Sequence, residues 1–246
     1  MCYRSAMNIH VPLEPVPPPA DTLTNLAVVV FDILRATSVI VHALAEGVTE
    51  VLPVVTMEEA FERVKAFPPG STLLGGERGS RRIEGFDLGN SPREYGAHRV
   101  RGKRVILTTT NGTRAFRSVS NGKRVMVGSF FNMKALARAC SELEDDLLLY
   151  PSGDKGGFSL EDTVCAGMLI DRITERRDKS VRLTDAAQAA WLLYKRFETN
   201  LEEVFLLSNH GKDLIALGLR EDLAYCARAD WIDLVPFFRE GFIRKG

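Results

Sequence analysis

Apolar runs of strand length alternate with polar loops and amphipathic stretches along most of the chain. Leu26–Phe31 is a continuous apolar run, the pattern of a strand buried on both faces, and it gives way to the polar loop DILRATS at 32–38. A helix follows through 41–45 and stops at Gly47. A second strand is predicted over 50–55, an amphipathic helix over 57–66, and a strand over 104–107 that runs into TTTNGTR at 108–114 and a helix-like segment. The same unit recurs at 125–132 with a helix over 133–143. It recurs again at 147–150, where the strand enters PSGDKGGF and a helix begins at Ser159, with Glu161 and Asp162 in its first turn. A helix is expected over 185–197 and a further strand over 204–207, leading to a surface turn at 208–211.

Strands alternating with helices through short polar connections define an α/β protein. The expected architecture is three-layer, a mostly parallel or mixed sheet with helices on both faces. Ligands in such sheets sit beyond the carboxyl ends of the strands, which is where the polar loops fall. Residues 8–11 form a candidate first strand, and residues 1–25 read as that strand plus a proline-rich loop. Residues 26–246 then make one α/β domain with room for two subdomains. The segment 75–95 intersperses five glycines with charges and reads as a long irregular loop able to close over a polar substrate.

With 45% hydrophobic residues in 246, the chain can bury a sizeable core. Lys plus Arg and Asp plus Glu are each 32, so no global charge points to nucleic acid or an anionic membrane, and any anion preference must be local. Apolar stretches are broken well short of a membrane span. Cys2, Cys140, Cys165 and Cys226 show no metal-ligand spacing and read as reduced, buried thiols, which suits the cytoplasm.

TTTNGTR suits an anion at a helix N-terminus, or a tight turn with Asn111 or Thr113 as N-cap. Asp32 directly after a buried strand, with Arg35 close behind, suits metal-assisted phosphoryl chemistry, although position 34 is Leu and no Asp-x-Asp is formed. Cys165 lacks the arginine of a cysteine phosphatase, and no nucleotide P-loop occurs. Asn209-His210-Gly211 lacks the arginine of histidine phosphatases and leaves His210 a weak candidate for proton transfer. The basic tail 239–245 reads as a solvated face.

Four motifs in one order, FDILRATS (31–38), GERGSRRIEGFDLGNSP (75–92), TTTNGTRA (108–115) and GGFSLEDTVCAG (156–167), resemble the 2-phosphosulfolactate phosphatase family of coenzyme M biosynthesis, over about residues 27–236. The resemblance implies a Mg²⁺-dependent α/β phosphatase that hydrolyses (2R)-phospho-3-sulfolactate, a small phosphorylated, sulfonated carboxylic acid, to 3-sulfolactate and phosphate. It carries over Asp32, Arg35 and Thr37; Glu77, Arg78, Glu84, Asp87, Asn90 and Ser91; Thr110, Asn111, Gly112, Thr113 and Arg114; and Glu161 and Asp162. Pro151-Ser152-Gly153 departs from the Cys-Ala-Gly of relatives. On this reading Asp32, Glu77, Glu161 and Asp162 supply metal ligands. Arg35 and Arg114, with Thr110, Asn111 and Thr113, stabilise phosphoryl charge, and Arg78 or Arg93 meets the carboxylate or sulfonate. Two other readings stay open: a phosphatase for another small phosphorylated acid or alcohol, and a noncatalytic anion-binding protein. A homodimer is compatible with the exposed apolar edges expected of such a sheet.

Overall fold

The computed structural model describes residues 6–177 and 181–246; Cys2 lies outside them. In chain order the elements are β1 (Met7–His10), α1 (Ala20–Leu23), β2 (Leu26–Phe31), α2 (Ala36–Ala45), β3 (Glu50–Pro53), α3 (Met57–Val64), β4 (Thr72–Arg78), β5 (Arg81–Arg82), α4 (Ala97–Val100), β6 (Arg104–Thr108) and α5 (Gly112–Ser118). They continue with β7 (Arg124–Gly128), α6 (Met133–Ser141), β8 (Asp146–Pro151), α7 (Leu160–Arg176), β9 (Val181–Leu183), α8 (Asp185–Phe197), α9 (Leu201–Leu207), α10 (Asn209–Ala216), α11 (Arg220–Cys226), β10 (Pro236–Arg239) and β11 (Phe242–Lys245). The α/β expectation holds: the strands join one mixed sheet in the order β5-β4-β6-β3-β11-β10-β7-β2-β8-β1-β9, layered with the helices. β2 lies between β7 and β8, parallel to both, and is buried along its whole length, as its Val-rich sequence requires.

The sheet consists of two parallel blocks. β4, β6 and β3 form one, and β7, β2, β8, β1 and β9 form the other. The β10–β11 hairpin lies between them through three antiparallel pairings, so the blocks run in opposite senses. Right-handed twist at about 20–25° per strand pair accumulates to roughly 100–125° between β6 and β2. A rotation of that size works against the reversal, and residues at the carboxyl ends of β2 and β8 from one block and of β4 and β6 from the other line the cavity described below.

Three expectations change. Residues 204–207 lie in helix α9, not in a strand: Leu201, Val204 and Phe205 repeat at helical spacing, with Val204 and Phe205 buried and Leu207 exposed. The start of the 75–95 segment is ordered as the end of β4 and as β5, because Gly75 and Gly76 continue the pairing with β6. The basic tail is a hairpin in the middle of the sheet. Ile243 is fully buried while Arg239 and Lys245 are exposed, so those cations are solvated as expected, but Arg244 pairs with buried Glu50 at 2.6 Å and the backbone of the tail is paired. Residues 208–211 form the first turn of α10, where the Ser208 hydroxyl accepts from Gly211 N–H at 3.0 Å. Cys140, Cys165 and Cys226 are buried free thiols. No described helix is long and apolar enough to cross a membrane.

Candidate active site

A cavity of about 420 Å³ opens where the carboxyl ends of β2, β4, β6 and β8 meet α10. Asp32, the residue after β2, lines it, and its backbone position is locked by the turn into α2. Its carbonyl accepts from Thr37 N–H and Thr37 Oγ1, each at 2.9 Å, and its Oδ1 accepts from Ala36 N–H at 3.1 Å. Thr37 is fully buried and therefore shapes this turn without lining the cavity. The other oxygen, Oδ2, faces Gly112 so closely that a Cβ there would stand 2.7 Å from it. Glycine at 112 is thus what lets the loop after β6 close on the aspartate.

Glu77 ties the other wall together. One oxygen accepts from Thr110 N–H at 2.8 Å and Thr110 Oγ1 at 2.9 Å, and the other from Ser80 N–H at 2.8 Å. Thr109 and Thr113 close the same loop, each hydroxyl accepting from the other's backbone N–H. Asn111 occupies the N-cap position of α5 but makes no side-chain cap bond, and it lines the cavity. Asn90 also lines the cavity, and its amide oxygen is buried without a partner among the described residues.

Arg35, which follows a cis peptide bond with Leu34, crosses beneath these groups. Its Nη1 donates to Asp222 Oδ2 at 2.6 Å and its Nη2 to the Ser80 carbonyl at 3.0 Å. The second oxygen of Asp222 accepts from Ser91 Oγ at 2.6 Å, which explains the burial of Ser91. Asp162 lies behind Asp32 at the start of α7, with one oxygen on Ile33 N–H at 2.8 Å and the other on Ser152 Oγ at 3.1 Å.

The buried carboxylates repel. Burial first, then the charges of Asp32 and Glu161, push the Asp162 carboxyl well above the usual range. Burial also raises Asp32, opposed by the Ala36 N–H and by His210, and assisted by Glu77. Glu161 is raised by burial and partly relieved by His210 and Ser208. A site with this excess of buried negative charge is complementary to a cation.

The structure therefore gathers Asp32, Arg35, Glu77, Asn90, Thr110 and Asn111 on the cavity wall, with Gly112, Thr113, Thr37, Ser91, Glu161 and Asp162 behind it. Arg78 is drawn away, bonded to the Val55 carbonyl, Thr108 Oγ1 and the Glu77 carbonyl. Arg114 is exposed on α5 and does not line the cavity. Arg93 is a surface partner of Glu221 at 2.5 Å, Glu84 is exposed, and Asp87 holds Leu74 N–H at 2.8 Å. Sequence reasoning missed Asp154, Lys155, Asp213 and Asp222. The first two follow strand β8 in a glycine-rich turn, the same strand-end signal that identified Asp32; Asp213 and Asp222 carry no local signal.

Among the described residues, no three Asp, Glu, His or Cys side chains form a metal-ligand cluster. Asp32 and Glu77 nonetheless offer two carboxylates on one wall, a donor set that would suit Mg²⁺, since that ion is commonly bound through one or two carboxylates together with phosphate and water rather than by an all-protein cage.

A strand-end cavity of an α/β sheet that sets acidic side chains beside a buried arginine and the amide side chains of Asn90 and Asn111 has the place and the chemistry suited to an enzyme site for a small anionic substrate. The profile of the 2-phosphosulpholactate phosphatase family matches residues 14–241. A probable 2-phosphosulfolactate phosphatase of Symbiobacterium thermophilum is 41% identical over 224 residues, 91% of this chain and 96% of that one. One of Clostridium tetani is 40% identical over 97% of this chain and all of its own, and one of Caldanaerobacter subterraneus is 42% identical over 88% and 89%. The chain belongs to the 2-phosphosulfolactate phosphatase family, a family of phosphoric monoester hydrolases.

Proposed function

We propose that the protein hydrolyses (2R)-phospho-3-sulfolactate to 3-sulfolactate and phosphate with Mg²⁺ as cofactor. The observation that carries the reading is the pairing of Asp32 and Glu77 with Arg35 on the wall of one strand-end cavity, within a chain of this family. Asp32 and Glu77 would hold the ion, and a bound Mg²⁺ supplies charge that offsets the phosphoryl oxygens and draws down the pKa of water. The buried guanidinium of Arg35, with the amides of Asn111 and Asn90, binds the phosphoryl oxygens; the Asn90 amide, turned over, presents its NH₂ where the unpartnered oxygen now lies.

In the reaction, water adds to phosphorus as the phosphorus–ester oxygen bond breaks, the leaving alkoxide takes a proton from His210, which lines the same cavity, and the proton shed by the added water restores the imidazolium. No covalent nucleophile is required, and among the described residues no cysteine lines the wall. The test is phosphate release from phosphosulfolactate, phospholactate and phosphoglycerate, with Mg²⁺ and with EDTA. Preferential, EDTA-sensitive hydrolysis of the sulfonated ester supports the assignment. Equal rates on all three overturn the substrate, and EDTA-resistant turnover overturns the cofactor.

A further inference from the structure

Once the arginines of the second motif are accounted for, a different cation faces the space beside the phosphoryl position. Arg78 donates to two backbone carbonyls and to Thr108, and neither Arg78 nor Arg93 lines the cavity. Among the described lysines and arginines, only Arg35 and Lys155 line the cavity, and Arg35 is charge-paired with buried Asp222. Lys155 is held differently. It sits at the tip of a tight turn in which Asp154 and Gly157 exchange backbone hydrogen bonds of 3.1 and 2.9 Å, with Lys155 and Gly156 both at positive φ. Gly153 anchors the turn: it has φ +75°, and a Cβ there would stand 2.5 Å from the Gly157 carbonyl and 2.8 Å from Pro15. The backbone that carries the lysine is therefore fixed at the rim.

The side chain itself is not fixed. Its partner is Asp213 Oδ2 at 3.1 Å, in a pair whose members are 74% and 53% exposed. An exposed pair of this kind is weak and screened by salt, so an anion entering the cavity exchanges readily with the aspartate. An ammonium offers three rotatable donors around a point charge. It matches a sulfonate, whose charge is spread over three equivalent oxygens, without the planar geometry that a guanidinium fork demands of its partner.

We infer that Lys155 is the specificity-determining residue of the site: it leaves Asp213 to bind the sulfonate of the substrate and so selects phosphate esters that carry a sulfonate besides the carboxylate. This inference rests on the reading of the cavity as a phosphosulfolactate site. Phospholactate, which has hydrogen in place of the sulfonate, gains nothing from the lysine.

The test compares kcat/KM for phosphosulfolactate and phospholactate in the wild type, Lys155→Ala and Lys155→Arg, together with calorimetric binding of sulfoacetate, which has a sulfonate and a carboxylate but no phosphate. In Lys155→Ala the ratio of the two kcat/KM values falls at least about tenfold, mainly through KM for the sulfonated ester, and sulfoacetate binding weakens by a similar factor. Lys155→Arg recovers part of both. A ratio within twofold of the wild type, or sulfoacetate bound equally by both proteins, overturns the inference. If the wild type hydrolyses neither ester, the phosphatase reading fails, and sulfoacetate binding alone then decides the role of Lys155: weakened binding in Lys155→Ala sustains it, and equal binding overturns it.

Discussion

Replacing Asp222 by Asn changes one atom of a side chain that contributes nothing to the cavity surface, yet it should reach the chemistry. Asp222 is 2% exposed and bonds Arg35 and Ser91 through separate oxygens, each at 2.6 Å. Removing one partner of a buried ion pair costs about 3–5 kcal/mol when nothing replaces it. Asparagine keeps one carbonyl acceptor but loses the charge and turns an NH₂ toward one of the two donors, which brings the expected loss to about 1.5–3 kcal/mol. For a chain of this size that corresponds to a Tm lower by roughly 3–12 °C. The larger effect is on Arg35: a guanidinium displaced by about 1 Å lowers kcat about a hundredfold. Thermal denaturation and phosphate-release kinetics, taken well below the transition, measure the two separately. Leu223→Ala on the same helix, a fully buried site where the cavity costs about 2–5 kcal/mol, controls for lost stability and should leave kcat within about threefold. A folded Asp222→Asn enzyme with wild-type kcat would refute the positioning role, and an unchanged Tm would refute the buried pair.

Gly112→Ala places a methyl carbon 2.7 Å from both Asp32 Oδ2 and Ala36 Cβ; it should cost about 1–3 kcal/mol in stability and at least about tenfold in kcat, read by the same two assays. Arg114→Ala should change kcat by less than about threefold, since Arg114 points to solvent; a hundredfold loss would bring that arginine into the site and refute the placement. Glu50 on β3 ties that strand to both of its neighbours, β6 through Arg104 and the hairpin strand β11 through Arg244: burial works against its ionisation, but the hydrogen bonds from the two arginines outweigh it and hold the carboxyl below its ordinary value of 4.5. The folded protein thus favours the carboxylate more than the unfolded chain does. Glu50→Gln should therefore destabilise by about 1–2 kcal/mol above pH 5, with the gap to wild type closing as pH falls through the folded pKa; denaturant titrations at pH 7 and pH 3.5 that show an equal gap would contradict this.

The parts of this protein that the sequence reveals are those dictated locally. Leu26–Phe31 is apolar throughout because both its faces are buried, and a buried strand ending in Asp32 announces a strand-end site. Helix α8 was readable to the residue because Thr184 caps it, accepting from Ala187 N–H at 3.3 Å. The short run 204–207 was ambiguous between strand and helix, as runs of that length are. The β10–β11 hairpin does carry a turn signal, Glu240-Gly241, with φ of +53° and +85°, but the flanking basic residues suggested only a solvated surface. What local pattern could not supply is pairing across the chain. Asp222 meets Arg35 from 187 residues away, and nothing in the first turn of α11 distinguishes it from a residue favouring the helix dipole. Arg78 and Arg114 show the converse: a motif identifies a neighbourhood, and only the fold decides which of its side chains face the substrate.

The most direct test of the central claim is steady-state phosphate release from phosphosulfolactate by the wild type and by Asp32→Asn, in saturating Mg²⁺ and with folding verified by circular dichroism. Asp32 is placed by the turn into α2, lines the cavity, and is the carboxylate on which the ion and the phosphoryl group are expected to converge. The account predicts that kcat/KM falls at least about a hundredfold while the fold is retained. A folded Asp32→Asn protein that hydrolyses phosphosulfolactate within twofold of the wild-type rate would contradict it, and would move the chemistry out of this cavity.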